Sequence, residues 1–179
     1  MSQIVIVSGP PGAGKSTVCE LLCERYDRTV HLETDDAYGW IRMGYVQPWK
    51  PESARQNMTV SRAAARAATA FAQELYGVFI DGVIGPMHLP AYLEELAQAG
   101  VPIHYAILVP PADVTIERAA WRDKQIAGAD EDMFRRVHTM FTGSMPGFRI
   151  DNSAMTAEQT ADAVMEACGR GDALVWSPA

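Results

Sequence analysis

The sequence predicts an α/β fold in which a parallel β-sheet carries helices on both faces. Short apolar or β-branched runs alternate along the chain with stretches whose composition favours helices. The run QIVIVSG at 3–9 lacks polar alternation, as expected for a strand buried on both faces. Acidic residues follow two of the strands, and ligands bind at the carboxyl ends of the strands in such folds.

The elements follow one another in a simple order. We predict strands at 3–9, 29–34, 77–81, 102–109 and 147–151, and helices at 14–25, 52–76, 90–99, 113–123 and 130–141. Alanines favour the helix at 52–76. Gly100 is expected to end the helix at 90–99. A last helix opens with Thr156, three residues before Gln159, in a capping-box pattern. The apolar tail DALVW at 172–176 is expected to dock on the body of the protein.

Composition limits the classes of protein. A chain of 179 residues with 48% hydrophobic content suits one domain over 1–179. A net charge of −7 argues against nucleic-acid binding, and no apolar run predicts a membrane span. The N-terminus lacks signal-peptide features, and the three cysteines form no CxxC pair, so we expect a cytoplasmic protein. The four histidines show no metal-ligand spacing, and no feature predicts an oligomeric state.

The strongest motif is GPPGAGKST at 9–17, which fits the phosphate-binding pattern G-x-x-x-x-G-K-[ST] between a strand and a helix. Gly12 and Gly14 let backbone N–H groups wrap a phosphate at the positive end of the helix dipole. Lys15 would reach the β- and γ-phosphates, and the Ser16 hydroxyl could ligate Mg²⁺. The nucleotide-binding residues are predicted to be Gly9, Pro10, Pro11, Gly12, Ala13, Gly14, Lys15, Ser16 and Thr17.

Three carboxylates lie at predicted strand ends. Asp35 follows the second strand, where it could take a proton from an acceptor hydroxyl. Asp36 would face Mg²⁺ or the start of the next helix, unless both acids only cap that helix. Asp81 ends the third strand in a Walker-B-like position, where it could contact Mg²⁺-bound water, bind the acceptor, or act as a buried cap.

The motif GPPGAGKST, with ETDD, FIDG and ERAAWR after strands two, three and four, resembles the P-loop small-molecule kinases. It is most similar to the chloramphenicol phosphotransferase-like group, which is related to gluconate kinase-like, zeta-toxin-like and polynucleotide 5′-kinase proteins. The resemblance implies a P-loop NTPase fold: a three-layer α/β/α structure, a five-stranded parallel sheet of order 2-3-1-4-5 and a helical lid. It also implies ATP and Mg²⁺ as cofactors and Asp35 as general base.

The segment at 117–132 resembles the lid of these kinases, with the lid itself at about 122–132. Arg118 and Arg122 share a helix face, and the resemblance implies that they embrace the ATP phosphates and stabilise the transferring group. An alternative is that they pair with Glu117 and Asp123 on a solvated face. Asn152 matches the adenine-side loop of the family.

Residues 38–57 form a predicted acceptor-binding flap. Aromatic and basic side chains alternate there, which would suit an aromatic or sugar-like compound, although they could equally pack a helical flap. The predicted substrate-binding residues are Asp36, Tyr38, Trp40, Arg42, Arg55 and Asp81. Arg55, Arg62 and Arg66 fall on one stripe of the long helix, and a solvated face is the simpler interpretation of that stripe.

The predicted function is ATP-dependent phosphate transfer to a hydroxyl of a small antibiotic-, sugar- or nucleoside-like molecule. Adenylate kinases share two of the motifs, but Gly39 and Gly85 stand where those enzymes carry arginines for the acceptor's phosphate. A phosphorylated acceptor would therefore lose two charge-assisted hydrogen bonds. The alternatives are a nucleoside or nucleotide kinase and a non-catalytic ATP-binding regulatory module.

Overall fold

The structure is a computed structural model that describes residues 2–122 and 131–178, and the side chains of these residues apart from 120–122. Most of the predicted lid at 122–132 therefore lies outside the described residues. The strands are β1 (Ile4–Ser8), β2 (Thr29–Glu33), β3 (Gly77–Gly82), β4 (Ile103–Leu108), β5 (Phe148–Ile150) and β6 (Leu174–Trp176).

Helices connect these strands, mostly at the predicted positions. They are α1 (Lys15–Cys23), α2 (Thr34–Gly39), α3 (Ala54–Gln73), α4 (Leu89–Leu96), α5 (Ala112–Arg122), α6 (Glu131–Thr139) and α7 (Ala157–Arg170). Short 3₁₀ turns at Pro51–Ser53 and Ala97–Ala99 begin and extend the predicted long helices. Gly100 closes the second turn in the left-handed conformation, as predicted. None of the described helices is long and apolar enough to cross a membrane.

The parallel sheet has the predicted order β2-β3-β1-β4-β5. The five predicted parallel strands are confirmed, and the tail adds a sixth strand that was not predicted, β6, antiparallel to β4. β5 covers only Ala106–Leu108 on the outer edge of β4, so the stretch around Ile103 and His104 is open to the tail. Pairing the tail there satisfies backbone groups that would otherwise form an exposed sheet edge.

Alternate residues of β1 bury into two different apolar layers. Ile4 and Ile6 pack in the layer that contains the alanine face of α3 and the apolar face of α4. Val5 and Val7 pack on the other side of the sheet against α1 and α7. The three-layer α/β/α arrangement predicted from the resemblance is therefore confirmed.

Helices α3 and α4 are tied together by side chains of the arginine stripe. Arg66 donates two 2.9 Å hydrogen bonds to the Glu95 carboxylate, and Arg62 lies 3.2 Å from Glu94. Thr69 also donates to the backbone carbonyl of Glu95. Two of the three stripe arginines thus hold α4 against α3.

The predicted capping box at Thr156 is present at the start of α7, and its contribution to stability can be measured. Thr156 Oγ1 accepts from the Gln159 N–H at 3.2 Å, and Gln159 Oε1 accepts from the Thr156 N–H at 2.9 Å. Thr156→Ala should lower the free energy of unfolding by about 1 kcal/mol in urea titrations, because α7 loses its cap. The control is Thr59→Ala, whose exposed hydroxyl only bonds the Arg55 carbonyl, with an expected change within about 0.5 kcal/mol. Equal effects in both variants would contradict the capping argument.

Candidate active site

The phosphate-binding loop joins β1 to α1 and is packed against α5. Gly12 has a φ of +82°, and a Cβ there would lie 2.1 Å from the Thr115 carbonyl oxygen. Only glycine fits that backbone conformation and that contact. Lys15 begins α1, and its Nζ donates to the Pro10 carbonyl at 3.0 Å, so the amine lies across the loop. The loop therefore has the cradle form that binds phosphates.

Asp81 is the penultimate residue of β3, lies beside this loop and is 5% exposed. Its Oδ2 lies 3.2 Å from His31 Nε2. Burial alone would raise the pKa of Asp81, but the hydrogen bond with His31, the nearby Ser16 hydroxyl and the Lys15 charge lower it. Burial would likewise lower the pKa of His31, but Asp81 raises it. The carboxylate is thus ionised where it can orient the Ser16 hydroxyl.

A second carboxylate, Asp35, borders a separate cavity. Asp35 and Asp36 are exposed and lie in the first turn of α2, rather than directly after β2. The cavity has a volume of about 230 Å³ and reaches from the phosphate loop to α3, α4 and α6. Its lining consists of Pro11, Thr34, Asp35, Tyr38, Pro48, Trp49, Asn57, Val60, Ser61, Val83, Ile84, His88, Tyr92, Met133, Val137 and Met140. The loop residue Pro11 and the acid Asp35 therefore border one space.

The position of α2 depends on a glycine in the neighbouring strand. A Cβ on Gly82 would lie 2.0 Å from Thr34 Oγ1 and 3.0 Å from Thr34 Cβ. Thr34 is buried at the start of α2, one residue before Asp35. The missing side chain at Gly82 thus lets α2 approach the end of β3 and sets the position of Asp35 at the cavity.

The cavity lining is mostly apolar and carries little positive charge. It contains no lysine or arginine among the described residues, and Asp35 is its one carboxylate. Burial lowers the pKa of His88, whose Nδ1 lies 3.2 Å from Ser61 Oγ, so this imidazole is neutral at pH 7. Burial, together with the Asp35 carboxylate, raises the pKa of Tyr38 to about 12. The cavity therefore offers apolar surface and neutral polar groups.

Asn57 is the one side-chain amide among the described lining residues of the cavity, and it is 8% exposed. Its Nδ2 donates to the Pro48 carbonyl at 2.8 Å and to Ser53 Oγ at 2.9 Å. Since a carbonyl can only accept, these bonds fix the orientation of the amide. Within the described part of the chain, Asn57 Oδ1 has no hydrogen-bond partner.

The predicted adenine-side residues lie behind the loop. Asn152 Nδ2 donates to the Ala13 carbonyl at 3.1 Å, so this buried side chain braces the loop. Arg118 is half-buried on α5, the helix that backs onto Gly12. The Ser153 N–H, with a contribution from Arg118, lowers the pKa of Asp151. Arg118 therefore lies near the strand-five loop, whereas the side chain of Arg122 is outside the described part of the chain.

The predicted substrate-binding residues separate into different places. Tyr38 lines the cavity, and Asp81 lies behind the loop with Ser16. Trp40 and Arg55 line a different groove, between α2 and α3, while Asp36 and Arg42 are exposed and outside the described cavity lining. The structure does not bring these four residues to the space beside Asp35.

Several cavity residues were missed by the sequence prediction. Asn57 and Ser61 are four residues apart on the buried face of α3, and such a polar pair on an apolar helix face is a usable signal. His88 immediately precedes α4, and Met133 of α6 and Met140 just after that helix are ordinary core residues in sequence. No local pattern distinguished these last residues.

The phosphate loop follows β1, the central strand of a parallel sheet of order 2-3-1-4-5. This arrangement is that of a P-loop kinase-type protein. The chain belongs to the P-loop kinase family described as AAA domain, which it matches over residues 4–145. This membership confirms the predicted P-loop kinase resemblance.

Individual relatives agree with the fold and differ in substrate. The chain is 26% identical over 186 residues to a uridylate kinase of Schizosaccharomyces pombe (strain 972 / ATCC 24843), covering 93% of this chain and 95% of that protein. It is similar to the Deinococcus radiodurans tunicamycin resistance protein, with a TM-score of 0.70, 20% identity and 100% coverage of both chains. A sugar kinase from Janibacter sp. HTCC2649 gives a TM-score of 0.71 at 15% identity, covering 94% of this chain and 95% of that one.

The contact between Gly82 and Thr34 generates a prediction about the site. Gly82→Ala should lower the free energy of unfolding by about 1–3 kcal/mol, because the new Cβ overlaps buried Thr34. The matched control is Gly143→Ala, since a Cβ at Gly143 meets nothing within 4 Å. Chemical denaturation of both variants measures the difference, and an unchanged Gly82→Ala midpoint would contradict the close approach of α2 to β3.

Proposed function

We propose that the protein transfers the γ-phosphate of ATP to a hydroxyl of a small, uncharged molecule bound in the cavity beside Asp35. The single observation that carries this proposal is that Asp35 and the phosphate-loop residue Pro11 border the same cavity. An acceptor there would lie between a carboxylate and the loop that holds the donor phosphates. Phosphoryl transfer depends mainly on such positioning and on electrostatic stabilisation.

The loop side of the site fits ATP with Mg²⁺. Gly12 permits the cradle, and Lys15 supplies a positive charge at its rim. The Ser16 hydroxyl and the Asp81 carboxylate are oxygen donors, which Mg²⁺ prefers. Mg²⁺ at this position would neutralise charge on the donor phosphates. Lys15 and Arg118, with Arg122 at the end of α5, would stabilise the transferring phosphoryl group.

Asp35 is proposed to act as the general base. Its carboxylate would accept the proton of the acceptor hydroxyl as the oxygen attacks phosphorus. The raised pKa of Tyr38 keeps that phenol protonated, so it remains a hydrogen-bond donor beside Asp35. Asp36, exposed in the same helical turn, borders no part of the cavity among the described residues and provides an internal comparison.

The lining of the cavity supports an acceptor without a phosphate. A monoester dianion usually requires arginine or lysine side chains. The described lining offers neutral His88 and hydroxyl, amide and apolar groups. The orphan Oδ1 of Asn57 would suit an acceptor that carries a second hydrogen-bond donor. An antibiotic-, sugar- or nucleoside-like alcohol fits this chemistry.

A second candidate function is nucleoside-monophosphate kinase activity. The observation in its favour is the 26% identity to a uridylate kinase across nearly the whole of both chains. The two candidates differ in one property, the charge of the acceptor. A direct comparison of UMP with uridine and other neutral alcohols separates them.

The base assignment predicts a specific loss. Asp35→Asn should reduce acceptor-dependent ADP formation by at least about 10²-fold, because proton removal is lost. Binding of an ATP analogue, measured by calorimetry, should stay within about twofold of wild type, since Asp35 is not one of the residues proposed to hold the phosphates. The matched control, Asp36→Asn, should keep most of the activity. Equal losses in the two variants, or retained turnover in Asp35→Asn, would refute the role of Asp35.

The acceptor class predicts a screening result. Neutral phenicols, sugars and nucleosides are compared with UMP, by thermal shift with a non-hydrolysable ATP analogue and by ADP release with ATP. We expect a neutral alcohol to raise the melting temperature and accelerate ADP release, because ligand binding to the native state stabilises it. If UMP alone does both, the nucleoside-monophosphate kinase candidate replaces this proposal.

A further inference from the structure

A cluster of sulfur, nitrogen and oxygen donors lies behind the phosphate loop, on the face of the sheet opposite the acceptor cavity. Cys19 comes from α1, His31 from β2 and Asp81 from β3. One ligand atom from each residue lies within 4.8 Å of the other two. Neither Cys19 nor His31 has a part in the proposed phosphate transfer. Three elements distant in sequence thus bring three different metal-ligand types to one point.

The dimensions of the cluster suit a small tetrahedral cation. Zinc bonds of about 2.3 Å to sulfur and about 2.0–2.2 Å to nitrogen or oxygen imply ligand-to-ligand separations of roughly 3.3–3.6 Å. His31 Nε2 and Asp81 Oδ2 are already 3.2 Å apart. With all donor atoms within 4.8 Å, closure requires a movement of about 1 Å by the thiol. Side-chain adjustments of this size need no change in the fold.

Access and charge also fit a cation. Cys19 is fully buried, and the Asp81 side chain is 7% exposed, so these two donors are shielded from competing water. The His31 side chain keeps 17% exposure on β2, which is the edge strand of the sheet. Glu33 lies two residues further on the same face of β2 and adds a second carboxylate beside Asp81. An ion can therefore enter from the sheet edge towards negative charge.

We propose that Cys19, His31 and Asp81 form a binding site for a thiophilic divalent cation such as Zn²⁺, and that its occupation inhibits the enzyme. The ion would take the place of the hydrogen between His31 Nε2 and Asp81, leaving a neutral imidazole with its proton on Nδ1, and the Cys19 proton would pass to solvent. Thiolate and imidazole select Zn²⁺ over Mg²⁺, which prefers oxygen ligands. The site is therefore distinct in chemistry from the Ser16 position.

Inhibition follows from the double use of Asp81 and rests on the proposed function. Asp81 lies beside Ser16, the residue at which Mg²⁺ would bind. Coordination by Asp81 withdraws that carboxylate from Ser16 and places a second dication beside the magnesium position. Phosphate transfer should fall while the acceptor cavity remains unchanged, because the cluster lies on the other face of the sheet.

Binding can be tested without any activity. Co²⁺ is added to reduced, untagged protein, and thiolate-to-cobalt charge transfer is recorded in the near-ultraviolet. Wild type should show this band with one equivalent of Co²⁺ and lose it on addition of Zn²⁺. Cys19→Ser should abolish the band, and His31→Asn should weaken Co²⁺ binding at least about tenfold. The matched control is Cys23→Ser, one turn further along α1 and outside the cluster, which should keep the band.

The outcomes separate the site from the kinase proposal. A missing band in wild type, or an unchanged band in folded Cys19→Ser, overturns the metal site. If the band depends on Cys19, Zn²⁺ at fixed Mg²⁺ and ATP should inhibit phosphate transfer by wild type and Cys23→Ser but not by Cys19→Ser. Unchanged turnover in Zn²⁺-loaded wild type overturns the inhibitory role. Failure to find any acceptor leaves the Co²⁺ result standing, because it does not require turnover.

Discussion

The hydrogen bond between His31 and the buried Asp81 carboxylate, close to Ser16 and Lys15, is the interaction on which the site depends. β3 lies between β1 and β2, so its last residues meet both the phosphate loop and the second strand. A carboxylate buried at this junction would be costly without partners. The hydrogen bond from His31, together with the nearby Ser16 hydroxyl and Lys15 charge, offsets that cost and ties the edge strand to β3 beside the loop.

The same strand end divides the site into two chemical environments. Asp81 lies on the α1 side with Ser16, Lys15 and the phosphate loop. One residue later, Gly82 leaves room for Thr34, so α2 carries Asp35 to the other side beside the apolar cavity. Asp81 therefore lies near the phosphate loop, whereas Asp35 borders the cavity. The absence of a side chain at Gly82, which admits the start of α2, produces this separation.

Much of the fold follows from sequence because strands buried on both faces leave continuous apolar runs, and because Gly100 and Thr156 mark helix ends by local chemistry. β6 was missed because its position depends on the edge that β5 leaves uncovered on β4.

The phosphate loop was predictable because all of its residues are contiguous in the sequence, at 9–17. The cavity beside Asp35 was not predictable, because its lining residues come together only through tertiary packing. They include Trp49, Asn57, His88 and Met140. Within the flap, sequence does not tell which aromatic faces the cavity, and Trp49 lies there while Trp40 lines another groove.

The relationship to a uridylate kinase and the neutral cavity point to different acceptors, and they concern different parts of the molecule. Overall identity reports the common framework of sheet and phosphate loop, which many kinases share whatever they phosphorylate. Acceptor choice depends on the few side chains around the attacking oxygen, where one unpaired charge or polar group changes affinity by several kcal/mol. Lys15 lies in the phosphate loop and Arg118 on the helix behind it, whereas the described lining of the cavity beside Asp35 contains neither lysine nor arginine. Local charge therefore bears more directly on the acceptor than 26% identity does.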